Sequence, residues 1–150
     1  MSNWRDFFRV KWDCRSILFI RAAVGLIFFS QGILKFTDPR MGVLRFEKIG
    51  FAHAGFTAHF VGAFEIACGL LILIGLLTRV AAVPLLIVIL TAIATTKIPE
   101  LYRPGQGFWF AVSDARTDFA MTMCLLFLLA VGAGGWSADY FVFGDGRAGS

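Results

Sequence analysis

The chain contains 150 residues, of which 58% are apolar and only 16% are charged, and its mean hydropathy is +0.76. Soluble domains carry about 25% charged residues, so this composition excludes a water-soluble monomer. The 17 Phe and 4 Trp exclude a disordered chain. The formal net charge of +4 comes from basic residues beside apolar runs, which favours a membrane-orientation signal and predicts no nucleic-acid partner. We therefore expect an integral membrane protein that lies in a lipid bilayer.

Four apolar blocks follow one another, each long enough for one helical crossing of a hydrocarbon layer about 30 Å thick. They are Ile17 to Phe36, Ala58 to Leu77, Val80 to Thr96 and Ala115 to Gly134. No segment alternates as a barrel strand does, and lipid tolerates no open strand edge, so the expected fold is all-α. The prediction is an integral membrane four-helix bundle over residues 17–140, with a basic N-terminal segment 1–16 and a C-terminal tail 141–150. A cleaved signal peptide is the alternative for the first block, although no small-residue cleavage site closes it.

Two of the connections constrain how the helices are joined. Only Thr78 and Arg79 separate the second and third blocks, which predicts a tight antiparallel hairpin. Pro84 is expected in about the first turn of the third helix, where it does least harm. The last connection, Lys97 to Asp114, contains Pro, Gly and aromatic residues, which predicts an irregular interfacial flap that includes Phe108 to Phe110.

Two further segments are expected to lie along the membrane surface. In the first outer connection, Asp38 as N-cap and Pro39 at the first helical position predict a short interfacial helix that ends near Gly50. At the N-terminus, residues 4–12 place Trp and Phe side chains at i, i+4 and i+8. This amphipathic foot is interpreted as an interfacial anchor, with a partner-binding helix as the alternative.

The distribution of Lys and Arg predicts the orientation of the chain. An inner N-terminus places six basic residues inside and five outside. The inner set is Arg5, Arg9, Lys11, Arg15, Arg79 and Arg147, and the outer set is Arg40, Arg45, Lys48, Lys97 and Arg103. Four of the inner charges immediately precede the first span, which usually dominates orientation, so both termini are expected to be cytoplasmic.

Charges and glycines share one face on each of the first two helices. On the first helix the face consists of Arg21, Gly25, Phe28, Gly32 and Lys35, and on the second of Ala58, Gly62, Glu65, Gly69 and Ile72. Steps of three and four residues keep each set on one side of its helix. Glycines on the face of a charge allow another helix backbone to come close, so we expect all four glycines to be helix-packing positions.

The depth of each polar residue follows from a rise of about 1.5 Å per residue. Counting from the outer helix ends predicts a polar cluster in the outer leaflet, which Thr91 and Thr95 also approach. The cluster consists of Gln31, Lys35, Glu65 and Asp118, with His59 at its mouth. Arg21 and Arg79 are expected at the inner edge.

Two interpretations of this cluster remain open. An ionised carboxylate in hydrocarbon costs about 2.5 kcal/mol or more, so Glu65 needs a cation or a proton. In the first interpretation a Lys35–Glu65 pair only fixes the helix register. In the second, a polar pocket receives a ligand headgroup, with donors from Lys35, Gln31 and His59 and with Glu65 as acceptor or proton carrier. His59 alone is also compatible with an ordinary interfacial histidine.

The sequence contains no signal for metal, nucleotide or acyl-transfer chemistry, and no catalytic residue is assigned. The three cysteines Cys14, Cys68 and Cys124 do not have a zinc-site spacing. Cys68 and Cys124 are expected at similar depth, as buried small apolar residues or, alternatively, as a redox dithiol. No cofactor is evident.

Three motifs occur in order along the chain. They are the face Arg21-x-x-x-Gly25-x-x-Phe28-x-x-x-Gly32-x-x-Lys35, the hairpin from Glu65-x-x-x-Gly69 through Gly75-Leu76-Leu77-Thr78-Arg79-Val80-Ala81, and the exit Gly132-Ala133-Gly134-Gly135-Trp136-Ser137-Ala138-Asp139. Together they resemble the DoxX family of small bacterial and archaeal membrane proteins. This resemblance implies a four-helix protein of the cytoplasmic membrane. The best-known assignment in the family is a subunit of a thiosulfate:quinone oxidoreductase, and other members are associated with redox-linked membrane complexes.

The residues and the resemblance together favour a non-catalytic membrane subunit, scaffold or assembly factor. Such a protein would bind a partner subunit or a second copy through glycine-rich faces, such as Gly132 and Gly134, and through the aromatic segment Phe108 to Phe110. The alternative is a quinone-linked redox subunit that resembles the small subunit of thiosulfate:quinone oxidoreductase. In that case the outer-leaflet cluster binds a quinone headgroup and a partner subunit supplies the electrons.

Overall fold

The computed structural model of the chain describes residues 15–101 and 108–143. These residues form helices and turns and contain no strand, which confirms the all-α prediction. The predicted amphipathic foot over residues 4–12, most of the C-terminal tail and the middle of the last outer connection lie outside the described residues.

The described part of the chain contains seven α-helices and one π-helical segment. The α-helices are α1 (Ile17–Thr37), α2 (Val43–Ile49), α3 (Ala54–Ile74), α4 (Thr78–Ala92), α5 (Ile98–Leu101), α6 (Phe108–Val131) and α7 (Ala138–Phe143), and the π-helical segment Ile93–Lys97 joins α4 to α5. Three segments are long and apolar enough to cross a membrane, namely α1, α3 and the continuous helix Thr78–Lys97. The fourth long helix, α6, has 24 residues and carries Asp114, Arg116 and Asp118 in its first half.

Helices α1 and α3 pack through their glycines. A Cβ atom built on Gly32 would lie 2.7 Å from the carbonyl oxygen of Gly62, and one built on Gly69 would lie 3.0 Å from that of Gly25. These distances leave no room for a side chain, because the neighbouring atoms belong to the backbone. The two glycine faces therefore lie against each other, with Gly25 opposite Gly69 and Gly32 opposite Gly62.

The buried side chain of Arg21 joins three segments at the end of the bundle where α1 begins and α3 ends. We call this the inner end of the bundle and the opposite one the outer end. It is 1% exposed, and its guanidinium donates to the carbonyl oxygens of Ile72 and Leu73 at the end of α3. It also donates to the carbonyls of Ala133 and Trp136 in the turn after α6. Because a guanidinium offers five N–H donors in a planar fork, a single side chain can donate to four carbonyls at helix ends, of which only that of Ile72 also accepts a C-cap hydrogen bond, from Gly75.

Asp139 on α7 binds the start of α4 at the same end of the bundle. Its carboxylate accepts hydrogen bonds from the backbone N–H groups of Leu77 and Thr78, at 2.6 and 3.1 Å, and so caps the N-terminus of α4. Leu77 has a φ of +51°, which is costly for a residue with a branched side chain. Arg79 donates to the carbonyl oxygens of Ala130 and Val131 at the end of α6. The hairpin is therefore held by residues that are distant in sequence.

The packed core lies in the inner half of the bundle. Its largest fully buried apolar residues include Ile72, Leu85, Leu125 and Leu128. Buried residues end at Ile89 in the helix Thr78–Lys97 and begin only at Met121 in α6. Between these limits, every residue of the two helices whose exposure is described is at least partly exposed. The outer halves of Thr78–Lys97 and α6 therefore do not close into a core, whereas α1 and α3 stay packed there through Gly32 and Gly62.

The first outer connection differs from the prediction. Asp38 ends α1 instead of starting the next helix, since its N–H donates to the carbonyl of Leu34. Its Oδ1 accepts the N–H of Arg40 at 2.9 Å, which forms a turn, so the short helix α2 begins only at Val43. The end near Gly50 agrees with the prediction, because Gly50 has a φ of +98° and stops α2.

Two other helix boundaries were also predicted wrongly. Pro84 is the seventh residue of α4 and therefore lies in its second turn, because the helix starts directly after Leu77. Phe108 to Phe110 form the first turn of α6 and are not an irregular flap. The apolar block predicted that this helix starts at Ala115, but α6 starts at Phe108. A helix forms its backbone hydrogen bonds within itself, so it can continue through residues that are not apolar.

Candidate functional site

A cavity of about 570 Å³ lies between the outer halves of α1, α3, Thr78–Lys97 and α6. Met41, Arg45, Phe46 and Ile49 cover its outer end, and they come from α2 and the turn before it. Its charged lining residues are Lys35, Arg45, Glu65, Lys97, Asp114 and Asp118. The cavity is formed where the packed core ends.

An ion pair between Lys35 and Glu65 lies in this cavity. The Lys35 Nζ donates to Glu65 Oε2 at 2.5 Å, and the two side chains are 11% and 4% exposed. Gly62 and Gly69 flank Glu65 on α3, and the close backbone contact at these glycines brings Lys35 of α1 within reach of Glu65. Since an ammonium group has three N–H donors, Lys35 retains donors for a second partner.

A second charged group lies across the cavity. Lys97 forms an ion pair with Asp114, and its Nζ lies 4.0 Å from Asp118 Oδ2. Lys97 ends the π-helical segment, and both acids lie in the first half of α6. The predicted cluster is therefore divided between two walls: Lys35 and Glu65 lie on α1 and α3, while Asp118 lies beside Lys97.

The remaining polar lining residues complete the two walls. Gln31 lies one turn before Lys35 on α1 and is half-buried. Thr91 and Thr95 line the opposite wall, and their hydroxyls donate to the carbonyls of Ile87 and Thr91, at 2.7 and 2.8 Å. Because each hydroxyl proton is already used, these oxygens can act only as acceptors. Donors for a ligand therefore come mainly from the charged side chains of the lining, namely Lys35, Arg45 and Lys97.

His59 was predicted at the mouth of the cluster, and it is not among the residues that line the cavity. Its Nδ1 is 2.6 Å from the carbonyl oxygen of Gly55, and its ring packs at 5.0 Å from the ring of Phe36. His59 precedes Glu65 by six residues, which turns it about 120° away from the acid around the helix axis. Depth along the helix axis therefore does not by itself place a side chain in the cavity, because the angle around the axis also counts.

The cavity lining also includes Arg45, Lys97 and Asp114, which were not predicted as site residues. All three were counted as residues of the outer connections, although Lys97 and Asp114 lie at the same depth as Asp118. That shared depth was the only signal available. Nothing local in the sequence indicates that α2 turns Arg45 toward the cavity, where its charge acts on Glu65.

The six charged lining residues comprise three cations and three anions, so the cavity lining is formally neutral. A ligand with a net charge would leave that charge uncompensated at membrane depth, which is costly. The arrangement is suited to a neutral polar headgroup that accepts hydrogen bonds from Lys35 and Arg45, with apolar contacts around it.

Comparisons with known proteins identify relatives of the chain. A family model described as DoxX matches residues 16–98. The uncharacterized membrane protein Rv3486 of Mycobacterium tuberculosis is 50% identical over 129 residues, which cover 83% of this chain and 79% of that protein. The protein named "Putative oxidoreductase CatD" of Bacillus subtilis is 29% identical over 126 residues, covering 84% of this chain and 86% of its own length. No solved structure matches significantly.

Proposed function

The chain belongs to the DoxX family, and from that premise we propose that it is a membrane subunit which binds a neutral quinone-type headgroup beside the Lys35–Glu65 pair. The observation that carries this proposal is the combination of a nearly buried ion pair with a cavity of about 570 Å³ that opens directly onto it. A pair that only fixed helix register would need no such space. Ligand pockets typically have volumes of about 300–1,000 Å³.

The donor set fits a quinone headgroup. Quinone oxygens accept hydrogen bonds, and Lys35, Arg45 and Gln31 all carry N–H groups in the lining. When bound, such a group carries two electrons and two protons between membrane complexes. Glu65 holds the ammonium of Lys35 in place, and its carboxylate is the nearest group on that wall that can hold or release a proton.

This function places the chain in a larger redox-linked complex. The relative from Bacillus subtilis carries the word oxidoreductase in its name, which supports a redox setting. The sequence shows no flavin or metal motif, so we propose that a partner subunit delivers the electrons and that this chain supplies the quinone site.

A scaffold or assembly factor is the second candidate. Phe108, Trp109 and Phe110 are 65%, 80% and 59% exposed at the start of α6, and this surface could contact a partner subunit. The glycines of α1 and α3 favour it less, because they already pack against each other.

We infer that α6 is a fourth crossing and that both termini are cytoplasmic. Its 24 residues extend about 36 Å, which exceeds the hydrocarbon thickness. A reporter fused after Ser150 should therefore be fluorescent as a green fluorescent protein and inactive as an alkaline phosphatase. The same reporters inserted after Gly50 should behave in the opposite way. Active phosphatase at Ser150 would contradict this topology.

Replacing Glu65 by Gln tests the proposed function. The purified protein in lipid nanodiscs should lose at least about tenfold in affinity for a quinone analogue, because the Lys35 ammonium is no longer held by a carboxylate. Glu47→Gln is the matched control, since Glu47 is exposed on α2 and does not line the cavity. Isothermal titration over a pH series measures both variants.

A double variant separates binding from folding. Lys35→Met with Glu65→Leu removes the pair without leaving an unpaired buried charge, so the bundle should still fold. It should not bind the analogue. If the double variant or Glu65→Gln binds with the affinity and pH dependence of the wild type, the proposed function is wrong.

A further inference from the structure

The cavity has an apolar side opening between α3 and α4. Phe60 and Phe64 on α3 and Ile87 on α4 line the cavity, and they are also 53%, 42% and 61% exposed. A residue that lines a cavity and is also exposed marks a place where the cavity reaches the outside. The exposed lining residues of α6 are instead polar, namely Asp114 and Thr117, and on α4 the exposed lining residue one turn beyond Ile87 is Thr91.

This opening lies near the middle of the membrane. Phe64 is separated by ten residues from each end of the 21-residue helix α3, which is about 15 Å at the usual helical rise. Ile87 is the tenth residue of the 20-residue span Thr78–Lys97. The cavity therefore opens to hydrocarbon at this point, and water is reached only beyond the interfacial layer.

The neighbouring boundaries restrict what can leave the cavity elsewhere. Buried Phe28, Ile89 and Met121 close it toward the packed core, and α2 covers its outer end. α1 and α3 are in backbone contact through their glycines, which closes the wall between them. On the surface of α3, the rings of Phe60 and Phe64 lie 4.8 Å apart and form a continuous apolar edge of the opening.

We propose that this opening, formed by Phe60, Phe64 and Ile87, is the binding site for the hydrocarbon tail of the ligand, and that the ligand enters laterally from the bilayer. The inference rests on the proposed function and adds to it the class of ligand. The ligand is an amphiphile with a neutral headgroup and a long tail, and a water-soluble quinone analogue lacks part of what the site recognises. The tail leaves between α3 and α4 and continues into the lipid.

The test compares two ligands that share one headgroup. One is a quinone with a prenyl tail, and the other carries a methyl group in place of the tail. Binding is measured in nanodiscs of dioleoylphosphatidylcholine for the wild type, Ile87→Trp and Leu90→Trp. Leu90 is the matched control, because it is 53% exposed on the same helix and does not line the cavity.

Ile87→Trp should lower the affinity for the tailed quinone at least about tenfold, because the indole occupies the space of the tail. It should change the affinity for the tail-less analogue less than about twofold, and Leu90→Trp should change neither. A second pair of variants gives an independent measurement. Phe64→Ala should weaken only the tailed ligand, whereas Phe56→Ala, which changes a ring that does not line the cavity, should have no effect.

The outcomes separate the two proposals. If the tail-less analogue binds the wild type and Glu65→Gln abolishes that binding, but Ile87→Trp and Leu90→Trp bind the tailed ligand equally, the tail site is wrong and the proposed function stands. If the tail adds no affinity in the wild type, the tail site is also wrong. If the wild type binds neither ligand, both proposals are overturned.

Discussion

Replacing Arg21 by methionine is expected to lower the free energy of unfolding by about 3 kcal/mol or more. The side chain donates hydrogen bonds to four carbonyl oxygens, and methionine can donate to none of them. The carbonyls of Leu73, Ala133 and Trp136 would lose this donor, and that of Ile72 would keep only the N–H of Gly75. The end of α3 and the turn after α6 would then no longer be held together.

The lysine variant distinguishes charge from geometry. Arg21→Lys keeps the positive charge near Asp139 but offers one compact ammonium group in place of a planar fork, so it should recover only part of the loss. Arg40→Met is the control, because Arg40 is exposed in the turn before α2. Reversible unfolding in mixed micelles measures all three proteins. Equal stability of Arg21→Met and the wild type would contradict the role assigned to these hydrogen bonds.

Replacing Gly32 by leucine should separate α1 from α3 and lower stability by at least about 2 kcal/mol, because overpacking a tight contact forces backbone shifts. The first side-chain atom alone would lie 2.7 Å from the Gly62 carbonyl and 2.9 Å from the Ile66 nitrogen. Backbone atoms cannot rotate away as a flexible side chain could. We therefore expect Gly32→Leu to lose both stability, measured by unfolding in mixed micelles, and binding of the quinone analogue.

Gly55→Leu is the matched control for the glycine contact. Gly55 lies in the first turn of α3, and a Cβ atom there would meet nothing within 4 Å. The same change in chemistry should therefore leave stability within about 0.5 kcal/mol of the wild type. If Gly32→Leu and Gly55→Leu are equally stable, close helix packing does not explain the glycine faces.

Periodicity along single helices was the most informative part of the sequence. Steps of three and four residues placed Lys35 on the glycine face of α1 and Glu65 on that of α3, and the structure brings the two side chains together. The pattern is informative because charges in lipid must face protein, which leaves few arrangements. Helix existence and the all-α class follow from the same constraint on backbone hydrogen bonding.

Other contacts leave no local trace in the sequence. Asp139 caps α4 from 61 and 62 residues away, so no spacing within the hairpin could indicate it. The π-helical segment shifts Lys97 relative to a regular α-helix, and a prediction based on 3.6 residues per turn cannot include that shift. α6 begins with three aromatic residues and carries Asp114, Arg116 and Asp118 in its first half, so its apolar block starts only at Ala115.

The hydrogen bonds of Arg21 end only on main-chain oxygens, and this has a consequence for the divergence of related proteins. Residues 72, 73, 133 and 136 can be exchanged for others without removing the groups that the guanidinium binds, provided that the backbone keeps its course. Substitutions at these positions should accumulate independently of position 21, so correlated changes in an alignment would not reveal the contact. Position 21 itself should stay invariant across lineages whose apolar side chains have been replaced extensively.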